Sequence, residues 1–253
     1  MDVTTVFGLL LGIGAVIVAF VLEGGKITSL FQLPAVILVV FGTFGAATIT
    51  TSFRQLVSLP ALLRVAFSDK NLNSHELIET IFELAQKTRK SGLLSLEADL
   101  QKIKDPFFRK ALQLAIDGFD TTKIREILDI EISYIEERHR SGAIFFQKLG
   151  GFSPTLGIMG TVLGLIHALS NMDNASNMAS AIAAAFIATL WGVAMANLIY
   201  LPISDKLRAK HQEEALHLEL IKEGVISLAT GENPNVIKMK LLSFLVPEKR
   251  GES

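Results

Sequence analysis

Apolar residues fall in four long runs, about 3–21, 33–51, 150–170 and 179–203. Elsewhere they recur at helical spacing among charged residues. Each long run is near or above the ~20 residues that an α-helix needs to cross a hydrocarbon core. The pattern predicts an all-α polytopic membrane protein with four transmembrane helices. A helical cytoplasmic domain lies between spans two and three, and a helical cytoplasmic tail follows span four. The segments are 1–51 (spans one and two with a short periplasmic loop), 52–143 (cytoplasmic), 144–203 (spans three and four) and 204–253 (tail).

The charged segment reads as folded helices and not as a linker. Asn73 and Glu76 resemble a capping box, followed by Leu77, Ile78, Ile81, Phe82 and Ala85 at helical spacing, with Gly92 as the stop. Leu93, Leu94, Leu96 and Leu100 continue a second short helix. Asp105 and Pro106 form an N-cap and first-turn pair leading into Phe107, Phe108, Leu112 and Ala115 before Gly118. Thr121 starts a longer helix with Ile124, Ile127, Leu128, Ile132 and Ile135 on one side. No strong stop precedes Phe145 and Phe146, so this helix is expected to run on into the third span. In the tail, residues 205–229 continue span four as one helix closed by Gly231. A last amphipathic helix, 235–245, sits between Pro234 and Pro247.

Charge sets the orientation. Of the 24 Lys and Arg, fourteen lie in residues 52–143 and eight from 204 onward. The positive-inside bias therefore puts the central segment, the tail and the N-terminus in the cytoplasm, with loops 23–32 and 171–178 outside. Only 19% of residues are charged, against about 25% in an ordinary soluble domain. The net charge of -1 gives no reason to expect nucleic acid. Without cysteines, neither disulfides nor thiolate metal sites are possible. The first run lacks a basic leading region and a clear cleavage site, so it reads as a retained helix.

No Asp or Glu interrupts any of the four runs. If the chain moves ions, a partner must bring the carboxylate. The polar residues of spans three and four are hydroxyls: Ser153, Thr155, Thr161 and Thr189. Gly157, Gly160 and Gly164 line span three, and Ala184, Ala188, Gly192 and Ala196 recur every fourth residue in span four. Such rows let helix backbones approach closely, which marks these spans as the inner pair and Thr161 and Thr189 as cavity-lining. Pro154 removes one backbone bond inside span three and is expected to kink it. Pro202 closes span four at the cytoplasmic boundary. His167, one turn from the outer end, suits an interfacial hydrogen bond, while His139, His211 and His217 are expected to be solvated. No phosphate loop, HExxH or clustered metal ligand is present, so the chain is not expected to be an enzyme or to need a cofactor.

The stretch from Gly150 through Ser153, Pro154, Gly157, Gly160, Thr161 and Gly164, with Ala184–Gly192 containing Thr189, and Tyr200 through Pro202 to Leu207, resembles the MotA/PomA family of ion-conducting flagellar stator subunits. Arg89 to Glu97 is similar to that family's torque-generating motif, and Glu136–His139 and Glu223–Ser227 match its stalk and tail. The resemblance runs in order along the whole chain.

It implies a homopentameric ring around a dimer of a single-span, peptidoglycan-anchored MotB/PomB-type partner whose membrane Asp binds the ion. It also implies an inner-membrane stator that couples inward H+ or Na+ flow to rotation of the rotor protein FliG. By position, Thr161 and Thr189 then line the ion path, Pro154 and Pro202 couple ion passage to movement, and Arg89, Lys90 and Glu97 face the rotor. Threonine at the position of Thr161 is typical of the family's sodium-type members, which leans the choice toward Na+. The related TolQ/ExbB class is the alternative. Its members usually have three spans, whereas this pattern has four.

Overall fold

The computed structural model describes residues 2–68 and 72–245. Pro247, the expected stop of the last helix, lies outside them. Among the described residues there are helices and no strand: α1 (Val3–Leu22), α2 (Leu33–Ile49), α3 (Phe53–Phe67), α4 (Ser74–Ser91), α5 (Pro106–Ile116), α6 (Thr121–Leu169), α7 (Ala175–Ala194), α8 (Leu201–Ala229) and α9 (Pro234–Leu242). Leu93–Lys102 is a 3₁₀ helix, and a π-helical stretch, Met195–Tyr200, joins α7 to α8. Val3–Leu22, Thr121–Leu169 and Ala175–Ala229 are long and apolar enough to cross a membrane; the apolar Leu33–Ile49 is shorter.

The chain divides into two compact units, residues 1–69 with 139–209, and residues 70–138 with 210–253. This division differs from the hydropathy segments, because α3 packs with the apolar helices and the later part of the tail packs with the central segment. The first unit centres on Ala47, Ala66, Ala143, Phe145, Phe146, Leu149, Tyr200, Ile203 and Leu207. Phe44 meets Phe145 at 6.3 Å and stands edge-on to Tyr200 at 6.4 Å. The Ser204 hydroxyl donates to the Ala143 carbonyl at 2.8 Å, so the buried seam between α6 and α8 carries a bond as well as rings. The apolar pattern does not single out α3. It is short, holds Pro60 in its interior, and exposes Phe53 and Val57. What places it is packing of Leu56, Leu59 and Leu62 against that core.

The second unit has the core of a soluble helical domain. Ile78, Ile81, Leu96, Leu112, Ile124, Leu128, Leu220, Ile221, Leu228, Ile237 and Leu241 are fully buried, each stabilising by about 1.5–3 kcal/mol relative to exposure. Local signals fixed most helix ends here. Gly92, Gly118 and Gly231 adopt φ of 79°, 78° and 70°, where a side chain would be strained. The Asp105 carboxylate accepts from the Phe107 and Phe108 N–H groups at 2.8 and 3.1 Å.

Several expectations needed correction. Leu84 is buried, while Phe82 is only half-buried, its ring 4.9 Å from the Lys238 ammonium. The second short helix is 3₁₀ in form, matching the spacing of three between Leu93, Leu96, Asp99 and Lys102. The last helix ends at Leu242 and not at 245, because Phe244 and Leu245 bond back three residues instead of four. The histidines are less exposed than expected: His139 and His211 are half-buried, and the His217 side chain is only 11% exposed, its Nε2 3.3 Å from Asp105 Oδ2.

Charge is organised around the same core. Arg125 and Lys240 both reach Glu223, at 2.5 and 3.1 Å. Burial pushes the Glu223 carboxyl upward, but these bonds outweigh it and hold it below its ordinary range. Lys222, buried, bridges Asp129 at 2.6 Å and Glu219 at 2.7 Å, which satisfies a charge that would otherwise be costly there.

Candidate functional site

In the first unit, the backbones of α6 and α7 approach closely enough to leave no room for a side chain at several glycines. A methyl group on Gly192 would stand 2.7 Å from the Ser153 carbonyl oxygen and 2.9 Å from the Gly157 Cα. One on Gly157 would meet the Ala188 carbonyl at 3.0 Å, and one on Gly164 the Ala185 methyl at 2.7 Å. This is small-residue packing, driven by van der Waals contact and hydrogen bonds where lipid offers no hydrophobic gain.

Because the backbones are so close, short side chains span the seam. The buried Ser153 hydroxyl donates to the Gly192 carbonyl at 2.9 Å. Thr161 Oγ1 donates to the Ala185 carbonyl at 3.0 Å and lies 3.3 Å from the Gly157 carbonyl of its own helix. Thr189 Oγ1 reaches the same Gly157 carbonyl at 3.4 Å, and the two threonine hydroxyls are in direct hydrogen-bond contact. Thr155 behaves differently and bonds only back to Phe152, at 2.7 Å. The sequence marked Thr161 and Thr189 as cavity-lining hydroxyls and gave Ser153 no role; in the structure the two threonines bond to each other across the seam. The position of Ser153 next to Pro154 is the only mark it carries in the sequence; its place opposite Gly192 is set by packing.

The threonine cluster gathers two hydroxyl and two carbonyl oxygens, all neutral. Such a set can supply oxygen ligands to a cation that has shed part of its water, or relay a proton between hydroxyls. It holds no group able to carry a full negative charge. Among the described residues, no cluster of His, Cys, Asp or Glu suits a metal. A separate cavity of about 290 Å³ lies among α2, α6 and α7, lined by Leu38, Gly160, Ala184 and similar side chains with Gln32 and His167 as its polar members; neither threonine lines it.

The two prolines sit in different backbone settings. α6 keeps its α-helical form across Pro154, which is half-buried beside Ser153. The irregularity lies on the other helix, where the π-helical Met195–Tyr200 immediately precedes α8 and Pro202 is its second residue. The missing N–H of Pro202 leaves the ladder locally short of a donor, and the wider π turn is one way of absorbing such a defect. Helix continues past Pro202 to Ala229.

In the second unit, Arg89 and Lys90 occupy the last turn of α4, and Glu97 lies in the 3₁₀ helix across Gly92; all three are exposed. Their hairpin is held by Asp99, which takes Lys87 at 2.6 Å and Lys102 at 2.8 Å. The bonds from Lys102 and then Lys87 keep its carboxyl below the ordinary range. The hairpin thus presents a fixed base for the three outward charges.

Comparison with known proteins places this architecture. Residues 99–220 match the model of the MotA/TolQ/ExbB proton channel family, and residues 6–92 match the motility protein A N-terminal model. The chain is 38% identical to motility protein A of Bacillus subtilis (strain 168) over 251 residues, covering 99% of this chain and 93% of that protein. It superimposes on a chain of the flagellar MotAB stator complex from Bacillus subtilis with a TM-score of 0.93 at 38% identity, covering 98% of each. For C. jejuni MotAB the TM-score is 0.94 at 30% identity, with 99% of this chain and 98% of that chain covered.

Proposed function

We infer the working of this chain from one premise: it belongs to the MotA/TolQ/ExbB proton channel family and is a flagellar stator subunit of the motility protein A type. It acts in a multimeric ring around a MotB/PomB-type single-span partner, coupling inward flow of H+ or Na+ to rotor movement. The ring is a pentamer in the bacterial inner membrane, surrounded by lipid. All four apolar helices cross that membrane, α2 included, and the termini and the second unit are cytoplasmic.

One observation carries this reading. The close-packed α6–α7 seam holds the Thr161–Thr189 oxygen cluster, yet no acidic side chain occurs in either apolar run that forms it. A neutral oxygen cluster can pass an ion but cannot store one against a membrane potential. A partner carboxylate completes the site. The exposed charges Arg89, Lys90 and Glu97 then meet the rotor protein FliG, and the two prolines, Pro154 in α6 and Pro202 beside the π turn, are where ion passage becomes helix movement.

The experiment is ion flux into liposomes holding the purified chain, alone and with a co-expressed single-span partner bearing a membrane Asp. Flux is expected only with the partner. Flux from the chain alone would overturn the reading. Swimming speed against external sodium at fixed pH separates the ions. Dependence on sodium fits the oxygen ligands of Thr161 and Thr189, and indifference to it assigns the path to protons.

A further inference from the structure

Helix α1 buries none of its residues within the chain, so the few contacts that fix it carry unusual weight. One lies at Gly12, where an added methyl would stand 3.2 Å from the Leu198 side chain of the π stretch. Another lies at its first turn. Asp2 Oδ1 accepts from the Thr4 hydroxyl at 2.6 Å and the Thr5 N–H at 3.2 Å, capping the helix. The Asp2 N–H donates to the Phe67 carbonyl at 3.0 Å, at the end of α3. Its second oxygen, Oδ2, meets the Lys206 ammonium at 2.5 Å, with the two side chains only 10% and 26% exposed. The Lys206 bond is the largest of the influences that hold the Asp2 carboxyl far below its ordinary range.

Lys206 lies one turn beyond Pro202, and Leu198 one turn before it. The two contacts of α1 therefore flank the proline, one within the π turn before it and one a turn beyond it. A helix that bends or rewinds at Pro202 must move Lys206 relative to Leu198, and α1 is the rod that both ends touch.

We propose that Asp2 and Lys206 are positioning residues for torque generation, forming a strut that holds α1 to the helix beyond Pro202 so that movement at the proline is transmitted and not dissipated. This rests on the stator reading given above. Asp2 has two separable jobs, capping and pairing. Asparagine is as good an N-cap as aspartate, so Asp2→Asn keeps the cap and deletes the ion pair. Lys206→Met deletes the pair from the other side and leaves the cap untouched.

The test is single-motor torque under load, in cells lacking their own stator that carry the parent chain or the Asp2→Asn, Lys206→Met or double variant with the partner subunit. The parent must drive rotation; its failure to do so would sink the stator reading and not the strut. Each single variant is expected to lose most of its stall torque while keeping parental membrane levels, partner co-purification and thermal unfolding temperature. The double variant should be no worse than either single, because both remove the same bond. Parental torque in Asp2→Asn, additive losses in the double variant, or a fall in complex stability equal to the fall in torque would each overturn the proposal.

Discussion

The hydroxyls of Thr161 and Thr189 meet across the α6–α7 seam, each also turned toward the Gly157 carbonyl. Residues 28 positions apart come into contact because Gly157 and Gly192 bring the two backbones together. The hydroxyls are thus a property of the seam and not of either helix alone.

Removing one hydroxyl should therefore change ion passage more than folding. Thr161→Ala and Thr189→Ala each lose a hydrogen bond worth about 1 kcal/mol net and keep the helix contact. Partner-dependent flux is expected to fall sharply while ring assembly stays parental, and Thr→Ser at either position should retain most of the flux. Alanine variants that conduct like the parent would take these residues out of the path.

Filling the seam should act the other way. Gly192→Ala places a methyl 2.7 Å from a backbone oxygen, and overpacking of this kind costs about 1–3 kcal/mol. Thermal unfolding of the detergent-purified protein should fall markedly for Gly192→Ala. Gly14→Ala, with nothing within 4 Å, should be unchanged or slightly stabilised. Equal midpoints for the two would contradict the close approach.

Reversing the exposed charges should spare the fold. Arg89→Glu combined with Glu97→Lys alters two side chains outside the core, where substitutions usually change stability by less than about 0.5 kcal/mol. Swimming in soft agar is expected to fail while membrane levels remain parental. Compensating charge reversals on the rotor should restore it. Wild-type swarm diameter in the double variant would remove these residues from the rotor contact.

The second unit should weaken in acid through Asp105. Its hydrogen bond from His217, with the backbone bonds of the α5 cap, holds the carboxyl below its ordinary range. A lowered folded-state value contributes stability that is present above the unfolded value and lost as pH falls through the folded one. Unfolding of the full chain at pH 7 and at about pH 3 should show a smaller acid shift for Asp105→Asn than for the parent. Asparagine preserves the cap but does not titrate, so an identical acid shift would assign the loss to other carboxylates.

Much of this protein is written locally. Gly92, Gly118 and Gly231 end helices because only glycine takes positive φ cheaply, and Asp105–Pro106 starts α5 because a carboxylate satisfies its orphan N–H groups. The lack of a stop before Phe145 predicted that this helix would run on into the third span, and α6 does so, ending at Leu169. The resemblance in order of motifs identified the family before any coordinates did. The threonine pair was legible as two hydroxyls on two small-residue helices.

What the sequence left undecided depends on which helix faces meet, and a periodic pattern does not encode that. Packing alone assigned α3 to the apolar unit, since Leu62 meets Gly142, eighty residues on, and its neighbouring leucines pack on the same core. Ser153 became a cross-helix donor only once Gly192 lay against it. The π turn before Pro202 arises where helix register must absorb a missing donor under contact with α1. The Asp2–Lys206 bond joins the second residue to position 206, a pairing between single charges that no local spacing announces. Local chemistry determined where the helices begin and end; long-range steric fit decided which oxygens and which charges touch.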